Sequence, residues 1–179
     1  VPSNISVVDA NFDGVADFFY FGDLGGQLFR VDLDDANVTG SKVRRIADLS
    51  GTGATNNRRF YYAPSISYVK SDDGTQENFD ISIGSGYRTH PLSEQTDDYF
   101  FVIRDDSVAR DASKKFAGSA PSALLTLGSL DTLSGSGAAD ASKAGWKLPL
   151  VGDGEKALSA AVVFNNRIFF TTYQPTTED

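Results

Sequence analysis

VDANFDGVADFFYFGDLGGQLFRVDL, residues 8–33, joins an acidic loop, two strand-like segments and a glycine-rich turn. In the loop, oxygen-bearing side chains stand at alternate positions and a glycine stands at the sixth, as in calcium-binding loops. With Asp9 as position one, the candidate ligands are the side chains of Asp9, Asn11, Asp13 and Asp17 and the backbone carbonyl of Val15. The pattern predicts a site for Ca²⁺ with oxygen ligands only.

The flanks of this loop distinguish it from an EF-hand, which needs a bidentate Glu at position twelve and a helix on either side. Position twelve is Tyr20, and the flanking segments Ile5–Val8 and Phe18–Phe21 are strand-like. An ion would therefore lie in the connection between two strands. Because Asp, Asn and Gly also dominate ordinary turns, an ion-free turn is the alternative interpretation.

Composition restricts the classes of protein that need to be considered. The 179 residues are 40% hydrophobic, which is ordinary for one globular domain with a core. The formal charge of −8 and the lack of a basic stripe argue against a nucleic-acid partner. The chain has no cysteine, no apolar run of membrane-spanning length and no signal peptide or initiating Met. We therefore expect a segment of a longer protein.

Strand patterns recur along the chain in three units, at about residues 1–49, 58–105 and 145–179, within a single domain. In Gln27–Leu33, the apolar residues alternate with Arg30 and Asp32, the period of a half-buried strand. Other predicted strands are Val43–Leu49, Ser65–Val69, Phe79–Gly84, Tyr99–Arg104, Leu158–Phe164 and Arg167–Tyr173. The pair Asn165-Asn166 between the last two predicts a tight hairpin.

Three such units predict an all-β fold: a β-propeller segment of about three four-stranded antiparallel blades. The insertion, residues 106–144, is expected to decorate one rim, with one short helix in SAPSALLTLGSL (119–130). Trp146 is expected to pack in the core. Because closed propellers usually need four to eight blades, we expect this segment to leave sheet edges unpaired and prone to self-association.

No catalytic signature stands out, and the sequence predicts a protein that is not an enzyme. The single histidine, His90, lies near Arg88, but no nucleophile or second acid accompanies it. We expect both side chains to hydrogen-bond backbone carbonyls in a structural loop. Arg58-Arg59 before Phe60-Tyr61-Tyr62 is interpreted as core plus a solvated pair, with cation–π contacts or a binding patch as the alternative.

Five segments, taken in order, resemble the C-terminal β-propeller of the PilY/PilC family of type IV pilus biogenesis factors and tip adhesins. They are the acidic loop with Phe18–Gly22, GDLGGQLFRVDL (22–33), RRFYYAPS (58–65), IGSGYRTHPL (83–92) with DYFFVIRD (98–105), and GWKLPL (145–150) with GEKALSAAVVFNNRIFFTTYQPT (154–176). The chain departs from the family pattern at Tyr87, where an acidic residue is frequent, and at Pro149.

The resemblance implies a calcium-binding propeller with a quinoprotein-dehydrogenase-like fold, whose ligands match Asp9, Asn11, Asp13, Val15 and Asp17. It further implies a bacterial surface protein, at the pilus tip or outer membrane and exported through the periplasm. Pilus extension and retraction, twitching motility and adhesion would be its processes, and minor pilins and host surface ligands its partners. Two alternatives stay open: a quinone-dependent dehydrogenase, because GDLGGQLFRVDL also resembles the strand repeat of those propellers, and an ion-free scaffold.

Overall fold

A computed structural model of the chain describes residues 3–34, 37–70, 77–110, 116–134 and 137–176. This part of the chain contains strands and three short 3₁₀ turns, at Val38–Gly40, Ala54–Asn56 and Leu127–Ser129, and no α-helix. The strands are β1 (Ser6–Val8), β2 (Phe18–Gly22), β3 (Gln27–Asp32), β4 (Lys42–Asp48), β5 (Ser65–Lys70), β6 (Glu77–Gly84), β7 (Tyr99–Asp105), β8 (Val108–Arg110), β9 (Phe116–Gly118), β10 (Leu125–Thr126), β11 (Asp131–Thr132), β12 (Gly145–Pro149), β13 (Val162–Phe164) and β14 (Arg167–Phe169).

Two five-stranded sheets share one design. Sheet 1 has the order β1-β2-β3-β4-β10, and sheet 2 has the order β5-β6-β7-β12-β11. In each sheet the first four strands pair antiparallel, and the two-residue fifth strand lies parallel to the outermost of them. Four antiparallel strands are one propeller blade, so the predicted all-β propeller segment is confirmed.

A two-stranded hairpin, β13–β14, follows the second sheet. Its turn residues Asn165 and Asn166 have φ angles of 48° and 57°, which asparagine tolerates better than most residues. An isolated antiparallel bridge between Lys156 and Tyr173 continues the pairing away from the turn. The tight hairpin predicted from the asparagine pair is therefore present.

The second blade, sheet 2, contains a strand that the sequence-based units place in the third unit. Gly145–Pro149, grouped above with the third unit, pairs with β7 and is the outermost long strand of sheet 2. The insertion 106–144 thus lies between the third and fourth strands of that blade. It contains β8, β9, β10 and β11, and the short helix expected in 119–130 is only the 3₁₀ turn Leu127–Ser129.

The insertion links the outer edges of both sheets. Its strand β10 pairs with β4 of sheet 1, and β11, a few residues later, pairs with β12 of sheet 2. Between them, Leu130 is only 3% exposed and belongs to the main core cluster. The segment that looks like loop decoration in the sequence therefore joins two blades.

The main core lies between sheets 1 and 2, and a smaller one lies between sheet 2 and the hairpin. In the first, Phe18 meets Phe79 with ring centroids 6.1 Å apart. In the second, the Phe100 ring stacks on Phe170 at 3.9 Å, and Trp146 packs beside it as expected for a core residue. Alternate side chains of β7 serve the two cores, which places sheet 2 in the middle.

The buried face of β3 is the opposite of what its apolar alternation suggests. Arg30 is fully buried, whereas its apolar neighbours Phe29 and Val31 are only partly covered. The guanidinium is compensated because Nε contacts Asp32 at 2.5 Å and one terminal nitrogen contacts Asp105 at 2.7 Å. Two carboxylates thus neutralise an arginine inside the joint between the sheets.

The antiparallel order places the connections at two ends of the blades. The β1–β2 loop and the insertion after β7 lie at one end, which we call the upper end. The β2–β3, β4–β5 and β6–β7 connections lie at the other, the lower end. At that end, the Phe60 amide donates to the Asp23 carbonyl at 2.9 Å, joining two of these connections.

Candidate metal centre

The acidic loop is anchored at its base by the strands that it connects. The Asp17 amide donates to the Val8 carbonyl at 2.8 Å, which closes the loop where β1 ends and β2 begins. The Asp17 carbonyl in turn accepts from the Leu33 amide at 3.0 Å. Both contacts continue the antiparallel ladders, so the position of the loop is determined by sheet 1.

Asp9 organises the interior of the loop through its carboxylate. One oxygen accepts from the amides of Phe12 at 2.7 Å and Asp13 at 3.2 Å, and the other accepts from Gly14 at 2.8 Å. Three backbone donors on one side chain wrap the chain around the first candidate ligand. Position one and position six of the loop are therefore joined directly.

The next candidate ligands repeat this motif on a smaller scale. The Asn11 side-chain oxygen accepts from the Asp13 amide, and an Asp13 oxygen accepts from the Val15 amide, both at 2.8 Å. These are successive Asx turns. At the end of the loop, an Asp17 oxygen accepts from the Ala10 amide at 2.7 Å. All four predicted side-chain ligands thus belong to one compact turn.

Two residues of the loop have backbone angles that demand a tight curve. Gly14, at position six, has a φ of 89°, and a Cβ built there meets no atom within 4 Å. Glycine is needed there for its conformation and not for space. Phe12 has a φ of 63° and its side chain is 91% exposed, so a non-glycine residue is also held in the left-handed region.

Tyr20, at position twelve, belongs to the core and not to the loop. Its side chain is fully buried and its hydroxyl donates to an Asp105 carboxylate oxygen at 3.0 Å. Burial, together with the charge of Asp105, raises the pKa of Tyr20, so the hydroxyl keeps its proton. The loop therefore has nothing at the position from which an EF-hand Glu closes its site.

The donor set fits a hard cation in its chemistry, although the carboxylates do not converge on one point. Among the described residues, no three His, Cys, Asp or Glu side chains are grouped closely enough to hold an ion. The loop offers three carboxylates, one amide oxygen and the Val15 carbonyl, all oxygen donors of the kind calcium prefers. An oxygen that accepts an amide proton keeps a second lone pair for an ion.

The loop around the single histidine differs from the expectation. In the described part of the chain, neither Arg88 nor His90 donates a side-chain hydrogen bond to a backbone carbonyl. Arg88 lies 5.5 Å from the Tyr62 ring centroid, and His90 lies 4.6 Å from the Tyr87 ring. Arg58, expected in a solvated pair, is only 1% exposed and donates to the carbonyls of Asp97 and Leu49.

Comparison with known proteins shows a similarity to a solved structure. The fold resembles the crystal structure of the Pseudomonas aeruginosa PilY1 C-terminal domain, with a TM-score of 0.69 and 19% sequence identity. The similarity covers 97% of this chain and 45% of that one, so the chain spans less than half of the PilY1 domain structure. The chain matches no family model and no curated protein sequence.

At this level of identity the similarity shows the fold. It agrees with the fold class predicted from the sequence, a segment of a β-propeller. In the residues that the structure describes, no helix is long and apolar enough to span a membrane.

Proposed function

We propose that this chain is the calcium-binding β-propeller portion of a type IV pilus-associated surface protein. The observation that carries the proposal is the loop Asp9–Asp17, where four side chains of calcium-ligand type lie in one turn anchored between β1 and β2. The pilus context is supported by the residues that resemble the PilY/PilC family and by the fold shared with the PilY1 C-terminal domain.

The charges in the loop support a divalent cation. Asp9, Asp13 and Asp17 bring three negative charges into nine residues, and Asp13 is exposed. A cation would relieve their mutual repulsion, with water completing the six to eight ligands that calcium takes. Magnesium should compete poorly because it needs a small, near-ideal octahedron, whereas a turn of this kind adapts to longer metal–oxygen distances.

The function proposed for the ion is regulation of pilus extension and retraction, and with it twitching motility and adhesion at the cell surface. Minor pilins and host surface ligands are the proposed partners. We propose no enzymatic role, because His90 packs on Tyr87 and, among the described residues, its side chain forms no hydrogen bond with a nucleophile. Dye-linked alcohol oxidation by the chain with added quinone cofactor would instead support the dehydrogenase alternative.

A calorimetric titration of the purified chain with calcium tests the ion. Asp13 is the residue to change because, among the described residues, its carboxylate accepts only the Val15 amide, so its loss should disturb the turn little. We expect Asp13→Ala to weaken calcium binding at least about ten-fold, which corresponds to about 1.4 kcal/mol. Asp106→Ala, which removes an exposed carboxylate from the insertion, is the matched control.

Circular dichroism should show the same folded spectrum for all three proteins, since the flanking strands keep their own pairing. Equal calcium affinity in wild type and Asp13→Ala would mean that the loop is only a turn. In cells, Asp13→Ala in the whole protein should alter pilus retraction while the amount of the protein stays normal. Normal retraction would separate calcium binding from the pilus role.

A further inference from the structure

A second feature of the molecule lies at the lower end, where two connections exchange aromatic and cationic side chains. Arg59, from the β4–β5 connection, lies over the Tyr87 ring at 3.7 Å from its centroid. Arg88, from the β6–β7 connection, lies 5.5 Å from the ring of Tyr62. Each connection therefore gives one arginine and receives one on a tyrosine. We call these four residues the Tyr–Arg patch.

Further contacts hold the patch in one arrangement. The Gly86 amide donates to the Arg59 carbonyl at 3.1 Å, which joins the two backbones directly. The hydroxyl of Tyr61 lies 3.4 Å from the Thr89 side-chain oxygen. His90 also packs beside Tyr87, and the centroids of the two rings are 4.6 Å apart. Side chains that are already stacked lose little freedom when a ligand binds.

Among the residues that the structure describes, the two arginines have no ion-pair partner, whereas four other arginines do. Arg30, Arg44, Arg45 and Arg110 each contact a carboxylate. Within the described residues, Arg59 and Arg88 form no ion pair, and Arg59 donates only to the Asn57 carbonyl. Arg88 is exposed, and Arg59 and both tyrosines are partly exposed. The patch thus presents two guanidinium groups that form no ion pair among the described residues, on a protein of net charge −8.

We propose that the Tyr–Arg patch is a docking surface for an acidic segment of a partner protein. Guanidinium groups match carboxylates with paired hydrogen bonds, and tyrosine and arginine are among the residues enriched at the energetic centres of protein interfaces. A short acidic segment would lie mainly on the patch, and salt screens its repulsion from negative charges of the protein that are more than about 8 Å away. A long nucleic acid would meet the acidic surface as well.

The proposed docking surface is independent of the proposed calcium site. The acidic loop lies at the upper end of sheet 1, and the patch lies at the lower end of sheet 2. Removing calcium should therefore leave the binding at the patch unchanged. Failure of one proposal leaves the other standing.

Fluorescence anisotropy with a labelled peptide of eight residues, alternating Glu and Ser, tests the docking surface. We expect the wild-type chain to bind it, and the double variant Arg59→Gln/Arg88→Gln to bind at least about ten-fold more weakly. A peptide with Gln in place of Glu should bind the wild-type chain no more tightly than the Glu peptide binds the double variant. Affinity should fall as sodium chloride rises, and a calcium chelator should not change it.

Two controls separate the patch from general charge. Arg167→Gln removes an exposed guanidinium from β14 and should leave the affinity unchanged. Arg59→Lys keeps the charge but loses the planar stack on Tyr87, and should weaken binding. Equal affinity of wild type and the double variant, with both folded by circular dichroism, would overturn the proposal. So would binding of a sulfated oligosaccharide, but not the peptide, through the same arginines.

Discussion

Asp9 and Asp13 both belong to the acidic loop, but their carboxylates accept different numbers of backbone hydrogen bonds. Asp9 accepts three backbone amides, of Phe12, Asp13 and Gly14, whereas Asp13 accepts one. The Asp9 carboxylate therefore stabilises the loop even without an ion, and the Asp13 carboxylate is mainly available to one. Sequence spacing treats the two as equivalent ligands and does not contain this distinction.

Asp9→Ala should lower the free energy of unfolding by about 1–3 kcal/mol, because backbone donors lose a charged acceptor. Asp13→Ala should cost less than about 1 kcal/mol in the same calcium-free buffer. Urea unfolding followed by circular dichroism measures both values. Equal losses would show that the hydrogen bonds of Asp9 contribute no more than the single one of Asp13.

Arg30 is a fully buried charge between the two sheets. It contacts Asp32 and Asp105, and one of its terminal nitrogens also donates to the Ser119 carbonyl at 2.6 Å. Among the described residues, replacing it leaves Asp105 without an ion-pair partner and leaves Asp32 with Arg44 alone. Arg30→Met should lower the free energy of unfolding by about 3–5 kcal/mol.

Arg44→Met is the matched control for this change. Arg44 contacts the same Asp32, but its side chain is 25% exposed and water can replace it. Its loss should cost about 1 kcal/mol or less. A similar, small loss for both variants would mean that the carboxylates at Arg30 become protonated or hydrated without penalty.

Among the secondary-structure elements, the long strands could be predicted from the sequence and the shortest could not. Phe18–Gly22 and Tyr99–Asp105 have runs of aromatic and β-branched residues that act locally. The two-residue strands β10 and β11 have no period, since they form only against the edges of β4 and β12. The acidic loop could be located by its spacing, whereas the Tyr–Arg patch depends on two connections that meet only in the fold.

The insertion that joins the two blades should contribute to stability through Leu130. This side chain is 3% exposed within the main core, between β10 and β11. Leu130→Ala should lower the free energy of unfolding by about 2–5 kcal/mol, the usual loss for a buried leucine. Leu124→Ala, at a 37% exposed position of the same insertion, should cost far less. Equal losses for the two variants would mean that the insertion is only a loop and does not stabilise the core.

Directly before β7, at the lower end of sheet 2, the chain contains a buried acid, Asp98, which is 2% exposed. One oxygen accepts from the Ser85 hydroxyl at 2.6 Å, and the other has no hydrogen-bond partner among the described residues. Burial raises the pKa of Asp98, against the smaller opposing effects of Ser85, Lys156, Arg58 and Arg59. The folded chain thus holds this proton more tightly than the unfolded chain.

Because the pKa of Asp98 is raised in the folded chain, this residue should make the free energy of unfolding increase as pH falls. As pH falls from 7 through the raised pKa of Asp98, the folded state takes up a proton first, and the free energy of unfolding rises. The gain is complete below the unfolded pKa of about 3.9. Asp98→Asn removes this term, so wild type should gain relative to the variant on acidification. A constant difference between pH 7 and pH 4 in urea unfolding would contradict the prediction.

At the scale of the whole molecule, sheet 1, sheet 2 and the hairpin β13–β14 are three units that form a stack, and each of its two outer faces has exposed apolar residues. On sheet 1, a row of paired residues crosses four strands and consists of Val7, Phe19, Val31 and Val43. The valines at its two ends, Val7 and Val43, are exposed. On the hairpin, Val162, Phe164 and Phe169 are more than half exposed. The inner faces of both units pack on sheet 2. Because the two outer faces belong to different units, contact between them is heterologous and links one copy to the next head to tail.

We expect the purified chain to associate head to tail, with a mean mass in light scattering that rises with concentration. Val43→Lys on sheet 1 or Phe164→Ser on the hairpin should each give a monomer, since either variant keeps only one of the two complementary faces. Leu92→Ser, at a 70% exposed position outside both faces, should change nothing. An equal mixture of the two monomeric variants should form a one-to-one dimer, because each supplies the face that the other lacks. A wild-type chain that stays monomeric at all concentrations, or a mixture that does not dimerise, would show that these faces do not recognise each other.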